Sequence, residues 1–377
     1  MSTRHPLRIV VVAPLRFPIR PPHAGGLEAA VWAEIDMLRR RGHDVTVIGP
    51  AGSDFVDESG PFALPALSWP AGADAHDDVW PLSYESVVAP ALGRALDEVV
   101  RHADRYDVIS NHCLHPLPLR RAPQLRAVGL PTVTTLHTPV DPAFVTAHRA
   151  AAGGGSRFLS VSEHIRREWD AAGVPSTLLP NGVDAAAWPA GPGGEGIVWF
   201  GRLVPEKAPH VAIAVARRLG RHLTIAGRVG NRGYVESVVA PLLGDDVTLA
   251  GVLGPEALAR LVGRSGVALA TPAWAEPFGL VAPEALLCGT PVVGFAVGGV
   301  PEIATGTLGM RLVAADDVEA MAAEARGLLA HSGDPAFRRA VRAGAVARFS
   351  LAVRITRLED LFVELAARDM RQDGISA

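Results

Sequence analysis

Two patterns of apolar and polar positions alternate along the chain. The first is a short run rich in apolar and β-branched residues, most continuous at 7–13. Such runs occupy residues 7–13, 44–49, 106–112, 131–137 and 158–162 in the first half, then 196–201, 222–227, 246–251, 266–271 and 290–294 in the second. Runs without polar alternation are expected of strands covered on both faces, as in a parallel sheet between helices. The second pattern is periodic. Leu27, Ala30, Val31, Ile35 and Leu38 fall on one face of a helix predicted over 27–41, with Gly42 as its stop. Further helices are predicted over 79–103, 163–172, 207–219, 255–263, 316–331, 335–349 and 351–368. Strand, helix and strand in this rhythm build βαβ units, so the fold class is α/β.

The punctuation divides the chain. A proline-rich loop covers 14–24, and 50–78 is irregular enough to predict a long loop with at most one short strand. Gly153, Gly154 and Gly155 mark a turn. Asn181-Gly182 is a strong turn signal, and the Ala/Gly/Pro-rich stretch 185–196 reads as a linker before the strand–helix rhythm restarts. At 377 residues the chain exceeds one ordinary core. The expected domains are therefore 1–182 and 183–350, followed by a C-terminal helical segment, 351–377, whose tail is expected to fray from Gln372.

Composition narrows the class. Apolar residues make up 49% and charged residues 20%, which is globular, and the formal net charge of -3 gives no reason to expect nucleic acid as a partner. No run of apolar residues is long enough for a transmembrane helix, and the N-terminus has no cleavable signal pattern. Cys113 and Cys288 are far apart and form no C-x-x-C, which fits a reducing cytoplasm and no zinc site. Arg39, Arg40 and Arg41, with Arg120, Arg121 and Arg126, could form a basic patch for weak membrane-surface contact, or could be solvated helix ends.

The most informative stretch is Glu276-Pro-Phe278-Gly279-Leu280-Val-Ala-Pro-Glu284, between the apolar runs at 266–271 and 290–294. A partly helical span of eight residues separates the two carboxylates by roughly 10 Å. A helix start lies between them, where free N–H groups favour a phosphate. Hydroxyls, then phosphates, then hydroxyls describe a nucleotide-sugar. After the strand at 196–201, Arg202 and Lys207 fall in a strand-to-helix loop, where a planar fork and a point charge suit a diphosphate; solvated surface charges are the alternative. Gly25-Gly26 stands at the first strand-to-helix turn, where G-x-G-x-x-G of a dinucleotide enzyme is missing. Taken alone, the pair fits a plain turn or close approach to an anion. His112, His115 and His137 lie at or just past strand ends, the side on which open α/β sheets bind ligands.

These motifs resemble family 4 of the retaining glycosyltransferases: E-P-F-G-L-x-x-x-E, a strand ending Thr135-Leu136-His137, Asn181-Gly-Val-Asp184, Gly-Arg202-Leu-Val-Pro-Glu206-Lys207, and Gly298-Gly299-Val-Pro-Glu302. The resemblance departs at Ala208, where the family has Gly. It implies a GT-B fold: two Rossmann-like doubly wound domains facing across a cleft, the first for the acceptor and the second for the donor, with the C-terminal helix crossing back onto the first. It also implies retaining transfer of a sugar from a nucleoside diphosphate sugar, UDP favoured and GDP possible, to a hydroxyl acceptor, a small molecule, glycan or lipid-linked group of glycoconjugate or natural-product biosynthesis. Carried over residue by residue, His137, Arg202, Lys207 and Glu276 are the catalytic candidates. Gly25, Gly26, Arg202, Lys207, Val252, Leu253, Glu276, Phe278, Gly279, Leu280 and Glu284 are donor contacts, with Glu284 on the ribose and Val252 and Leu253 near the base. His112 and His115 face acceptor, or merely finish a strand. With no D-x-D in the chain, the cations would replace a metal, and no cofactor is expected. Two other classes share the architecture: a nucleotide-sugar epimerase, which needs no acceptor, and a non-catalytic nucleotide-sugar-binding protein.

Overall fold

The computed structural model describes residues 5–67, 69, 81, 83–152 and 155–373. They form two compact units, one from the chain up to residue 67, residues 81–181 and the segment from Leu351 onward, the other from Gly182–Ser350.

The first unit is built on seven strands, β1 (Arg8–Val12), β2 (Asp44–Pro50), β3 (Ala63–Leu64), β4 (Val108–Asn111), β5 (Thr132–Leu136), β6 (Ser156–Ser160) and β7 (Thr177–Leu178). Their order is β3-β2-β1-β4-β5-β6-β7 and every pairing is parallel. Five helices connect them: α1 (Gly26–Arg40), α2 (Tyr84–Arg101), α3 (Leu117–Ala127), α4 (Pro142–Ala150) and α5 (Glu163–Ala171). The apolar run from Ile9 to Val12 in β1 is explained by its two faces. Ile9 and Val11 enter a core with Val31, Ile35 and Leu38 of α1, while Val10 and Val12 enter another with Val88, Leu92 and Leu96 of α2.

The second unit has six parallel strands, β8 (Ile197–Phe200), β9 (Leu223–Ala226), β10 (Val247–Gly251), β11 (Val267–Ala270), β12 (Val292–Phe295) and β13 (Met310–Val313), in the order β10-β9-β8-β11-β12-β13. Its helices are α6 (Pro209–Leu219), the single turn α7 (Arg232–Tyr234), α8 (Pro255–Gly263), α9 (Val281–Leu287), α10 (Val300–Ala304), α11 (Val318–Leu329) and α12 (Pro335–Phe349). The last helix, α13 (Leu351–Asp373), belongs to the first unit, where Leu351, Ile355, Leu358 and Phe362 bury against the α1 side of the sheet.

Both sheets reverse their strand order once, between β1 and β4 and between β8 and β11. Ligands of open α/β sheets bind at such reversals, beyond the carboxyl ends of the strands.

Several boundaries differ from the sequence expectation. Lys207 lies in a one-turn 3-10 segment, Pro205–Lys207, and the helix proper starts at Pro209. α3 and α4 were not expected, because Pro116, Pro118 and Pro123 give the first of them a loop-like composition. The helix expected over 79–103 is described from Tyr84. The C-terminal helix runs through Gln372 to Asp373, past the expected point of fraying. Gly153 and Gly154 of the glycine turn, and most of 68–80, lie outside the described residues.

Candidate functional site

In the second unit, the turns leaving β8 and β11 are stitched together. Ala273 N donates to Glu206 O at 2.9 Å. The Thr271 hydroxyl lies 2.9 Å from Lys207 O and accepts from Trp199 Nε1 at 2.9 Å, all beneath the turn. This holds Lys207 against Glu276, whose carboxylate the ammonium meets directly. Trp274 Nε1 donates to the same carboxylate at 2.9 Å, and its ring centroid lies 5.6 Å from Lys207 Nζ, a cation–π distance. Arg202, at the start of the turn, pairs with Glu206 at 3.6 Å. Both cations are thus held in place by carboxylates at the strand-order reversal.

Ala208 adopts a left-handed conformation, φ 45° and ψ 54°, directly before Pro209. An L-residue pays roughly 1–2 kcal/mol there, which accounts for the Gly of the resembling motif. The departure leaves the turn intact, and Ala208 is buried.

Glu276 is fixed through its backbone as well. Gly299 N donates to Glu276 O at 2.7 Å. Gly298 has φ +57°, and a Cβ on it would fall 2.3 Å from Glu276 O and 2.4 Å from Glu276 N. A side chain at 298 is excluded, so the Gly298-Gly299 segment serves as the seat on which Glu276 rests. Gly227 plays a similar part behind Arg202, since its Cβ would fall 1.8 Å from Gly201 O.

Downstream, Phe278 is buried, Gly279 turns at φ +94°, and Leu280 caps α9. α9 is a short helix of seven residues that ends just before Gly289. Glu284 projects from it half-buried, and no hydrogen bond or ion pair to its carboxyl is found among the described residues. Burial alone pushes it up to about 8. Cys288 is a core residue whose thiol burial pushes up to about 12. Val252 is 53% exposed just past β10, and Leu253 half-buried; β10 is two strands from β8.

In the first unit, Gly25 precedes and Gly26 opens α1, and Ala29 N donates to Gly25 O at 3.1 Å. At the carboxyl ends of β4 and β5, His112 Nδ1 lies 2.9 Å from His137 Nε2. His112 Nε2 lies 2.9 Å from Glu34 Oε1, and the other Glu34 oxygen receives Arg354 Nη2 at 3.2 Å. Burial would raise the Glu34 carboxyl, but His112 and Arg354 outweigh it and bring it to about 2. Burial, then His112 and Arg354, hold His137 well below the ordinary imidazole range. His115 stands apart: its Nδ1 accepts from Leu117 N at 3.1 Å and its Nε2 meets Glu85 at 3.2 Å, so both nitrogens serve the start of α3 and its neighbour α2.

Glu34 and Arg354 escaped the sequence reading. The signal was a charge on an apolar stripe. Glu34 lies between Val31 and Leu38 on α1, and Arg354 between Leu351 and Leu358 on α13. The arginines considered for a basic patch are largely engaged. Arg39 donates to Val45 O, Arg40 pairs with Asp36, Arg41 with Glu359 and Arg121 with Asp97.

Comparison with known proteins follows the same division of the chain. The model "Glycosyltransferase Family 4" matches residues 24–187, and "Glycosyl transferases group 1" matches 194–331. A D-inositol 3-phosphate glycosyltransferase of Mycobacterium marinum is 36% identical over 140 residues, 35% of this chain but only 30% of that protein. A phosphatidyl-myo-inositol mannosyltransferase of Mycolicibacterium smegmatis is 28% identical over 378 residues, 91% of this chain and 88% of its own length. Among solved structures, Anabaena HepE in complex with UDP and glucose superposes with a TM-score of 0.71 at 19% identity, over 95% of this chain and 99% of that one. With two parallel α/β sheets, and with glycosyltransferase models matching 24–187 and 194–331, the chain has a GT-B fold and is similar to the family 4 glycosyltransferases over its first half.

Proposed function

We propose that this protein transfers a hexosyl group, with retention, from a nucleoside diphosphate sugar to a hydroxyl acceptor, and that the second unit holds the donor. The observation that carries the reading is the pairing of Lys207 with Glu276 at the β8/β11 reversal, with Glu284 on the helix that follows partnerless among the described residues. Arg202 and Lys207 would receive the diphosphate, Glu276 the donor sugar and Glu284 the ribose hydroxyls. A lone half-buried carboxyl is costly unless a ligand supplies donors, which is what a ribose offers.

Bond cleavage between the anomeric carbon and the diphosphate leaves negative charge on the departing phosphate. Preorganised cations stabilise that charge, each to about 3 kcal/mol of barrier. Lys207 is held by Glu276 and Trp274 before donor arrives, so little reorganisation is needed at that moment. The sugar becomes oxocarbenium-like, and the acceptor hydroxyl attacks from the face the phosphate leaves, giving its proton to that phosphate. The two cations take the part a divalent metal plays elsewhere, and transfer is expected to survive EDTA. UDP is the favoured nucleotide, in line with the UDP and glucose bound to HepE. The acceptor is a hydroxyl compound, and relatives named for inositol phosphate and phosphatidylinositol acceptors make a polyol-bearing one the first to try.

A thermal-shift panel of UDP-, GDP-, ADP- and dTDP-sugars tests this. The cognate donor at 100 times its Kd should stabilise by roughly 2.7 kcal/mol, and Glu284→Ala should lose that shift. No shift with any of the four would overturn the reading. The anomeric configuration of the product, read by NMR, decides retention.

A further inference from the structure

The first unit contains a buried chain of polar groups that the proposed chemistry does not account for. It runs from the C-terminal helix to the carboxyl ends of two central strands: Arg354 on α13, Glu34 on α1, His112 after β4 and His137 after β5. Arg354 donates from Nε and Nη2 to Glu34 Oε2 at 3.4 and 3.2 Å. Arg354 Nη1 donates to Leu179 O at 2.6 Å, which anchors the guanidinium. Glu34 Oε1 faces His112 Nε2 at 2.9 Å, with the Ser110 hydroxyl 3.0 Å from that nitrogen. His112 Nδ1 faces His137 Nε2 at 2.9 Å. His137 Nδ1 has no partner among the described residues. Arg354, Glu34 and His112 are 5%, 2% and 1% exposed, so water does not compete for these bonds.

We propose that Arg354, Glu34 and His112 are positioning residues that set which ring nitrogen of His137 carries its proton. The proposal rests on the expectation, implied by the family resemblance, that His137 meets substrate. The direction follows from the inventory of donors and acceptors. Arg354 can only donate, and one cation and one anion balance in this buried chain. The ionised Glu34 can only accept, so His112 Nε2 carries a proton. With one proton per ring, His112 Nδ1 is an acceptor, so His137 must donate from Nε2. His137 Nδ1 then presents a lone pair, and accepts a hydrogen bond from a ligand hydroxyl. Buried carboxylates fix histidine tautomers in this way in metal sites and hydrolase triads.

Glu34→Gln reverses the chain at constant shape. The amide oxygen takes the Arg354 donors, so the NH2 group faces His112 Nε2 and turns it into an acceptor. His112 Nδ1 then donates to His137 Nε2, and His137 Nδ1 becomes an N–H. The test is 15N NMR of the full-length protein labelled at histidine, beside steady-state kinetics with the donor found by the thermal panel. In the wild type, His137 Nδ1 should be unprotonated from pH 6 to 8. In E34Q it should be protonated, kcat should fall roughly tenfold or more, as when a ring-orienting partner is lost, and the donor shift from the second unit should remain.

A protonated Nδ1 on wild-type His137 at pH 7 overturns the proposal, and so does a folded E34Q with unchanged histidine signals and turnover. If E34Q does not fold, the wild-type spectrum alone decides. A wild type that binds no nucleotide-sugar defeats the functional reading and leaves the tautomer measurement standing.

Discussion

At the scale of single residues, Glu284 ties chemistry to stability most directly. Its carboxyl is raised by burial to about 8, so the folded protein keeps a proton that the unfolded chain releases near the ordinary carboxylate range. The sign follows from linkage. Below that range both states are protonated and Glu284 makes no difference. As pH rises toward 8 only the unfolded state ionises, and the fold loses stability. Glu284→Gln should therefore raise the stability of the ligand-free protein at pH 8 relative to pH 5 by roughly 1–3 kcal/mol, since one unit is about 1.4 kcal/mol and the side chain is only partly shielded. Urea unfolding at the two pH values measures it. A variant whose stability follows the wild type at both would mean that the carboxyl is already ionised and partnered.

At the scale of elements, the site depends on segments that never touch the ligand in the proposed scheme. The start of α10 is the clearest case. Gly298 packs its bare Cα onto the Glu276 backbone, and Gly299 donates to Glu276 O. Gly298→Ala adds a methyl group where there is no space, at a φ that suits glycine, and should cost roughly 2–4 kcal/mol while displacing Glu276. Lowered Tm together with lowered donor turnover is the expected pair of results; unchanged turnover would mean that Glu276 is seated by Lys207 and Trp274 alone. The arginines of α12 support the neighbouring helix. Buried Arg338 donates to Gly263 O, Cys288 O and Thr290 Oγ1, and Arg342 to Leu287 O, so the carboxyl end of α9 is held by cations, as its dipole favours.

At the scale of the molecule, the chain completes its first unit with its last helix. Leu351, Ile355, Leu358 and Phe362 are each 2% exposed or less. Burial of each is worth about 1.5–3 kcal/mol, so truncation after Ser350 should unfold the first unit. Hydrogen exchange would show protection lost from β1, β2 and β4 but retained in β8 and β11; retained protection in all of them would contradict the assignment of α13.

Most of this architecture was legible, because strands covered on both faces are short runs rich in apolar and β-branched residues, set between periodic helices. The candidate motifs were legible because chemistry fixes both residue type and spacing. Glu34 and Arg354 were not, since their meaning lies in a pairing 320 positions apart. Nor was α3, whose prolines resemble a loop, or the seat under Glu276, which consists of absent side chains.

The proposed transfer depends on the paired Lys207 and Glu276. The most direct test is steady-state turnover of the stabilising nucleotide-sugar by Lys207→Ala and Glu276→Ala. Each should lose about a hundredfold or more in kcat, the scale for removing one preorganised charge-stabilising group. Turnover within a few-fold of the wild type in both would contradict it.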